Sequence, residues 1–307
     1  MPHVVVLGST NVDLTFAVPR LPRPGETVMA QRLVTGFGGK GANQAVMAAR
    51  LGGRVHMISA VGADDFGARA LDSYRANGVD VGGVRRADGP TGTAAILVDE
   101  QARNCIVVVP GANASVSAAD AQAARDVLRT ADVVLAQLET PAEAAAGAFR
   151  VARSAGVRTI LNPAPAAPLS DELLRLSSLC VPNETELETL VGSPVWSLEE
   201  AEAAAEKLRR RGPETVIVTL GPRGVLVVGP QGATHCPAVA VQAVDPTAAG
   251  DAFIGSLAVF LAGGAELLHA VRRASAVAAL TVTRPGAQDS FPPRAEIEAF
   301  LAAQGLA

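Results

Sequence analysis

The chain has 307 residues, of which 49% are hydrophobic and 3% aromatic, and its formal net charge is −4 at pH 7. That length allows one large α/β domain or two small ones. Scarce aromatics exclude a surface that stacks bases, and the negative balance excludes one that tracks nucleic-acid phosphates, so no nucleic-acid partner is expected. No apolar run reaches the ~18 residues needed to span a bilayer, and the opening Met1–Gly8 lacks a charged n-region. No membrane partner and a cytoplasmic location are the resulting expectations. The cysteines Cys105, Cys180 and Cys236 match no zinc or redox spacing and read as small buried apolar residues. The histidines His3, His56, His235 and His269 show no ligand spacing and read as structural.

In chain order, Val4–Leu7 is a predicted buried strand, followed by Gly8-Ser9-Thr10-Asn11-Val12-Asp13. Small polar residues after a strand suit a site and equally a turn; Asp13 either accepts two ligand hydroxyls or makes an Asx turn. Runs around Leu14–Val18 and Val28–Thr35, joined by Pro19, Pro22, Pro24 and Gly25, predict a hairpin outside the main sheet. Gly36–Asn43 has G-x-G-x-x-G spacing, but it does not follow the first strand, and Lys40 precedes Gly41 rather than Ser or Thr. Neither a dinucleotide fingerprint nor a P-loop fits. What remains is a glycine-rich turn into a helix at about Gly41–Leu51, with Lys40 and Asn43 on its first turn. Bare backbone, one ammonium and one amide suit a ligand with several hydroxyls; a plain turn is the alternative.

A strand at Val55–Val61 and a helix at Phe66–Asn77 come next. Thr91–Val98 and Asn104–Val109 then flank the polar turn 99–103 and predict a second hairpin. The two hairpins, about 14–35 and 91–109, are expected to form a lid over the strand ends. A flap with one apolar face seeks a partner, so a homodimer is expected. Further on, a helix is predicted at Ala118–Arg129, a strand at Val133–Leu135, a helix at Ala142–Ser154 and a strand at Thr159–Leu161. Glu139, just after the strand Val133–Leu135, is either a site carboxylate or a counter-charge for a helix dipole. Asn183 to Glu186 fits an N-x-x-E capping box for a helix ending near Leu190; alternatively, Glu186 orders water around Mg²⁺. After a helix at Leu198–Arg211 and a strand at Val216–Leu220, Gly221-Pro222-Arg223-Gly224 either holds nucleotide phosphates or is a surface turn. A hairpin near Gly224–Cys236 precedes helices at about Ala249–Ala262, Ala265–Thr281 and Arg294–Ala303. Alternating buried strands and helices predict an α/β fold: an open, mostly parallel sheet with helices on both faces and its site beyond the strands' carboxyl ends.

The segment Ala248-Ala249-Gly250-Asp251 opens the apolar helix 249–262. Small residues leave the helix-start N–H groups open to an anion, and Asp251 beside them is placed to take a proton from an attacking hydroxyl. That is the arrangement phosphoryl transfer needs; simple helix capping is the alternative.

Together, Asn11-Val12-Asp13, Gly38–Asn43, Leu161-Asn162-Pro163-Ala164-Pro165, Pro182–Glu186, Thr219–Gly224 and Ala248–Asp251 resemble, in this order, the ribokinase (PfkB) family of carbohydrate kinases. The similarity runs from about Val4 to Leu301. Asn162–Pro165, Arg284-Pro285-Gly286-Ala287-Gln288 and Ala248–Asp251 point to the branch acting on ribose. The resemblance implies a Rossmann-like α/β domain with a β-lid that forms a dimer, and ATP-dependent phosphorylation of the ribose 5-hydroxyl. It implies Asp251 as base and Ala248, Ala249 and Gly250 as anion hole. It places Asn11, Asp13, Gly39, Lys40, Asn43, Ile96 and Glu139 around the sugar. It places Asn183, Thr219, Gly221, Arg223, Gly224, Gly250 and Ser275 around ATP, and Glu186 near Mg²⁺. Asp245, Thr247, Thr281, Arg284, Gly286 and Ser290 are implied ligands of an activating K⁺. Two positions depart from the family pattern: Pro246 stands where Thr is usual before the anion hole, and Ser275 where His or Asn is frequent near the adenine. Rival acceptors are deoxyribose, another pentose or a nucleoside. A nucleoside pocket needs more aromatic surface, and a phosphosugar needs a cation near Asp13 and Glu139. A non-catalytic sensor on the same scaffold would be expected to lose Asp251 or the anion hole.

Overall fold

The computed structural model describes residues 1–101 and 103–307; Ala102, in the polar turn 99–103, lies outside the described residues. The main sheet contains β1 (His3–Leu7), β4 (Arg54–Gly62), β5 (Val79–Ala87), β8 (Val133–Ala136), β9 (Arg158–Leu161), β10 (Leu179–Cys180), β11 (Thr215–Thr219), β12 (Val225–Gly229) and β13 (Gly232–Cys236). Its order is β13-β12-β11-β10-β9-β8-β1-β4-β5, parallel throughout except for the antiparallel β11-β12-β13 edge. Side chains alternate across each strand, so β1 sends Val4 and Val6 into one core and Val5 and Leu7 into the other.

The first core is covered by α1 (Lys40–Arg50), α2 (Asp65–Ala76), α9 (Ala249–Ala262), α10 (Leu267–Thr281) and α11 (Arg294–Ala303). The second lies under α3 (Ala118–Ala123), α4 (Arg125–Thr130), α5 (Ala142–Ser154), α6 (Asp171–Arg175), α7 (Glu184–Val191) and α8 (Leu198–Arg209). The expected layered α/β architecture is therefore present. Capping boxes Ser117/Asp120, Asn183/Glu186 and Ser197/Glu200 start α3, α7 and α8. Four details differ from the sequence reading, the first being that Gly36–Gly38 of the expected glycine-rich turn end a strand at Arg32–Gly38, later than the expected Val28–Thr35. The helix expected over 118–129 is two helices meeting at Ala124. The strand β5 carries Gly82, Gly83 and mostly part-exposed residues, so it lacks the apolar run that reveals its neighbours. The two-residue β10 is too short for any periodicity.

A second sheet, β3-β2-β6-β7, is built from β2 (Asn11–Ala17), β3 (Arg32–Gly38), β6 (Gly92–Val98) and β7 (Asn104–Val109). Both expected hairpins are here, joined by parallel pairing of β2 with β6. Asp13 pairs with Ala94 and Thr15 with Ile96, so Asp13 and Ile96 share one face. The edge strand β7 is exposed along its whole length. Cys105 lies on it and is exposed, correcting the expectation of a buried thiol, because no layer covers that strand; Cys180 and Cys236 are buried.

Two glycines bring the loop after β1 against the start of α1. A Cβ on Gly41 would lie 2.6 Å from the Ser9 amide nitrogen, and one on Gly8 would lie 2.1 Å from Gln137 Oε1. The carboxyl end of β1, the first turn of α1 and the loop after β8 thus converge at one edge of the sheet.

Candidate active site

Asp251 occupies the first turn of α9 and is 8% exposed. Its carboxylate does not cap its own helix. Oδ2 accepts from Asn43 Nδ2 at 2.9 Å, and Oδ1 accepts from Gln44 Nε2 at 3.0 Å. Burial is the main cause that raises the proton affinity of this carboxyl above the ordinary aspartate range; Lys40 and the two amide bonds oppose it.

The N-cap of α9 is Ala248, the one non-glycine residue with positive φ (59°) among the described residues. That left-handed conformation stores roughly 1–3 kcal/mol of strain, which the surrounding structure must hold in place. It turns the chain so that the first amides of α9 face an open cavity of about 190 Å³. Lys40, Asn162, Glu186, Thr219, Pro246 and Ala248–Asp251 are among the residues lining it. Ala249 N–H donates to the Pro246 carbonyl at 3.2 Å, whereas no backbone acceptor among the described residues takes Gly250 N–H or Asp251 N–H. A Cβ on Gly250 would meet nothing within 4 Å, so the space beside its amide is open. The available donors at the helix start are thus Ala248, Gly250 and Asp251 rather than Ala249, since no described residue accepts from Ala248 N–H either.

Lys40 shares this cavity with both Asp251 and Glu186, and its charge acts on both carboxyls. Glu186 bonds Asn183 twice, accepting from the backbone N–H at 2.8 Å and from Nδ2 at 3.0 Å, so the capping-box reading holds. Burial still raises its proton affinity, with the Lys40 charge opposing and Asp251 adding. The residue therefore both caps α7 and lines the cavity.

Across the α1 turn, Glu139 Oε2 accepts from Lys40 N–H at 2.9 Å and from Ser9 Oγ at 2.5 Å. This is the helix-dipole role, and among the described residues nothing donates to Oε1. Asp13 stands close by: a Cβ on Gly38 would lie 2.1 Å from Asp13 Oδ2. Gly39 adopts φ 89°, with Ser9 and Asn11 backbone about 3 Å from its Cβ position. Among the described residues nothing donates to the Asp13 carboxylate. Burial, and then the Glu139 charge, push its carboxyl up to about 6. The folded protein holds this proton more tightly than the unfolded chain, so stability is lost as pH rises from about 4 through about 6. The cost at neutral pH is on the order of 1–3 kcal/mol after allowing for partial exposure. Asp13→Asn is expected to raise the melting temperature at pH 7.5 by a few degrees and to flatten its pH dependence between 4 and 7. Calorimetric melting showing a lower midpoint at every pH would contradict this account.

Other expected site residues lie further from this centre or face elsewhere. Asn11 is buried and accepts from Asn113 Nδ2 at 2.7 Å, so its side chain ties β2 to the short 3-10 turn Gly111–Ser115. Arg223 is turned away: it pairs with Glu184, and its Nη1 donates to the Trp196 carbonyl at 3.0 Å. Gly224 is needed for close approach, since a Cβ there would sit 2.2 Å from the Cys236 carbonyl, and Gly221 for its positive φ of 55°. Ser275 is buried within α10 and is not among the residues lining the cavity.

The loop 244–247 packs against the loop 282–290. Asp245 Oδ2 accepts from Gly286 N–H at 2.8 Å, and Oδ1 accepts from Thr247 N–H at 2.9 Å and Thr247 Oγ1 at 2.6 Å. These bonds hold the Asp245 carboxyl below the usual range despite partial burial. The remaining residues of the expected cation set turn their side chains to local partners: Thr281 to Val277 O, Ser290 to Ala287 O, and Arg284 to Glu296. These groups offer oxygen donors, the hard type that an alkali cation accepts, and the Thr281 carbonyl already accepts from Arg284 N–H at 3.3 Å.

The sequence reading did not single out Gln44, Gln137 or Gln288 as site residues. Gln44 Oε1 accepts from Gln137 Nε2 at 2.6 Å, and Asn43 Oδ1 accepts from Gln288 Nε2 at 3.1 Å. The available signal was a glutamine inside the wholly buried run Gly41–Ala48, where a polar group requires a partner.

A buried carboxylate beside bare helix-start amides and a lysine, at the carboxyl edge of a parallel sheet with a second sheet alongside, defines a phosphotransfer-type centre. Residues 1–294 match the model of the pfkB family of carbohydrate kinases, and the chain belongs to that family. It is 40% identical over 299 residues to a ribokinase of Haemophilus influenzae, covering 97% of this chain and 98% of the relative. It is 36% identical over 304 residues to a deoxyribokinase of Salmonella typhi, covering 97% and 98% of the two chains. The structure of an Arabidopsis thaliana ribokinase complexed with ribose and ATP superposes with a TM-score of 0.93 at 32% identity, covering 98% of both chains.

Proposed function

We propose that the chain transfers the γ-phosphoryl group of ATP to the 5-hydroxyl of D-ribose. The observation that carries this reading is the buried Asp251 carboxylate sharing one cavity with Lys40 and the free N–H groups of Gly250 and Asp251. The 40% identity to a protein named ribokinase, over nearly the full length of both, supports the acceptor.

The sugar lies between Asp13 and Glu139, over the Gly39 backbone, within reach of Lys40 and Asn43, and under Ile96 on the shared face of the second sheet. That sheet acts as the lid, and closure excludes water that would otherwise compete as acceptor. Asp251 takes the 5-hydroxyl proton. The hydroxyl oxygen bonds to the γ-phosphorus while the bond from that phosphorus to the β–γ bridging oxygen breaks, and ADP leaves. Gly250 N–H, Asp251 N–H and Lys40 offset the charge on the transferring oxygens. ATP lies toward Asn183, Thr219, Gly221, Gly224 and Ser275, where Arg223 reaches it by exchanging its contacts with Glu184 and Trp196. Mg²⁺, when bound, neutralises the nucleotide phosphates; the cavity-facing Glu186 suits a water-mediated contact to it. Asp245 and the carbonyls of Thr247, Thr281, Arg284 and Gly286, with Ser290, suit K⁺. The reaction draws on ATP, which the cytoplasm supplies, and we place the enzyme there.

The second reading, 2-deoxyribose as acceptor, is favoured by the relative of that name at 36% identity. The unpaired Asp13 carboxylate favours ribose, because a missing 2-hydroxyl leaves one of its lone-pair positions unmet at a cost of ~1–3 kcal/mol. ATP consumption with ribose, 2-deoxyribose and adenosine at equal concentration, with and without K⁺, decides. Ribose is expected to show the highest kcat/KM, and K⁺ to raise it. Faster turnover of 2-deoxyribose or adenosine overturns the assignment.

The lid also supports a homodimer. Leu33, Val34 and Ile106–Val109 on its strands are each 42–58% exposed, an apolar surface beside an unpaired strand edge. Val107→Glu with Val109→Glu is expected to shift the light-scattering mass from two chains to one; a wild-type mass of one chain refutes the dimer.

A further inference from the structure

We infer that Gln44 is the positioning residue that aims the Asp251 carboxylate, and that it acts on turnover without contacting the sugar. This rests on the reading of Asp251 as the base.

The two amides holding Asp251 are adjacent on α1 and differ in one decisive way. An amide NH₂ carries two donor hydrogens. Gln44 Nε2 spends one on Asp251 Oδ1 at 3.0 Å and the other on Asn162 Oδ1 at 3.1 Å. Its Oε1 accepts from Gln137 Nε2 at 2.6 Å, and Asn162 is itself fixed by donating Nδ2 to the Val181 carbonyl at 3.0 Å. A flipped Gln44 amide would set oxygen against the Asp251 carboxylate and NH₂ against the Gln137 NH₂, two repulsive contacts in a fully buried place. One orientation is therefore enforced. Gln44 is fully buried, with 0% exposure, and has no donor left for a ligand. Asn43, by contrast, spends one N–H on Asp251 Oδ2 and accepts from Gln288. Its second N–H remains available to the sugar.

The backbone supports the same device. A Cβ on Gly255 of α9 would lie 2.6 Å from the Gln44 carbonyl and 3.1 Å from Met47 Cβ. The two helices touch at this glycine, one turn after Asp251, and that close approach brings the Gln44 amide to the carboxylate. Both partners of the base are neutral. They hold its orientation at less cost to basicity than a cation would impose. The charged groups acting on it are Lys40, which favours the carboxylate, and Glu139, which disfavours it, with Glu186 across the cavity.

The test compares Gln44→Leu, Gln44→Glu, Gln137→Leu and Asp251→Asn for kcat, KM for ribose, the pH dependence of kcat and melting temperature. Gln44→Leu is expected to lower kcat roughly 10–100-fold, as a lost aiming contact does, with KM for ribose changed less than about 3-fold. Its acidic limb of kcat moves to higher pH, because a hydrogen bond to the charged base is gone. Gln44→Glu is expected to lose kcat at pH 8 and to recover part of it at pH 6, as the introduced carboxyl takes up a proton and donates. Gln137→Leu frees the Gln44 amide and is expected to give a smaller loss in the same direction, which keeps the question answerable if Gln44→Leu does not fold. A dead Asp251→Asn beside Gln44 and Gln137 variants with unchanged kcat and an unmoved limb overturns this inference alone. A rise in KM with constant kcat overturns it too, by making Gln44 a sugar contact. An active Asp251→Asn overturns the reading it rests on.

Discussion

Asp251→Asn is expected to lower kcat for ribose phosphorylation by roughly 10²–10⁴-fold, the usual contribution of a positioned general base. The substitution keeps size and shape, so ATP binding measured by calorimetry should change little. It also removes a carboxyl whose charged form burial disfavours. The folded state holds that proton more tightly than the unfolded chain, so the native carboxylate costs stability as pH rises through its folded value. The variant is therefore expected to melt no lower than wild type at pH 8, even though its Nδ2 meets the NH₂ of Asn43 or Gln44. A dead variant that is also unfolded would leave the chemistry unproven, so near-UV dichroism and the melting curve accompany the rate. Wild-type turnover by a folded Asp251→Asn excludes this carboxylate as the base.

Lys40→Met is expected to lower kcat by about 10²–10³-fold, the range found when one preorganised electrostatic partner of a transition state is removed. Lys40 begins α1, and its ammonium is the cation of the cavity whose charge acts on both Asp251 and Glu186. Methionine keeps the stem volume and removes the charge. The chain would then bring the negative polyphosphate toward two carboxylates without the lysine ammonium beside them, so KM for ATP should also rise. Because Lys40 lowers the proton affinity of both carboxyls, the acidic limb of kcat should move to higher pH in the variant. Lys40→Arg keeps the charge and should restore the limb better than the rate, since the guanidinium places it differently. A Lys40→Met enzyme with kcat within about threefold of wild type removes the lysine from the mechanism.

Much of the fold was legible along the chain. The helices at Ala142–Ser154, Ala249–Ala262 and Arg294–Ala303 begin and end where their periodicity and flanking residues put them. Buried strands such as β1 and β8 show as short aliphatic runs because both their faces are covered. The strand β5 was not legible, since a part-exposed edge strand with two glycines carries no such run. The site was legible as a set of chemical types, and less so as a set of contacts. Asn43 reads as a ligand amide, yet it also binds the base. Arg223 reads as a phosphate cation, yet it pairs with Glu184, 39 residues earlier. Ala249 reads as an open helix-start amide, yet the bend that Ala248 makes at φ 59° lets it bond the Pro246 carbonyl.

The sequence by itself determined the layered α/β class, the two hairpins of the second sheet, the capping box at Asn183 and the pairing of small residues with Asp251. These follow from interactions a few residues apart, where 3.6- and 2-residue periods and cap chemistry leave their mark in order along the chain. Only the tertiary structure decided which groups hold Asp251, which amides stay free for an anion and which exposed strand awaits a partner. The Asn43 bond to Asp251 joins residues 208 positions apart, and it exists because α1 and α9 meet at Gly255. Packing of that kind leaves no periodic trace in either segment.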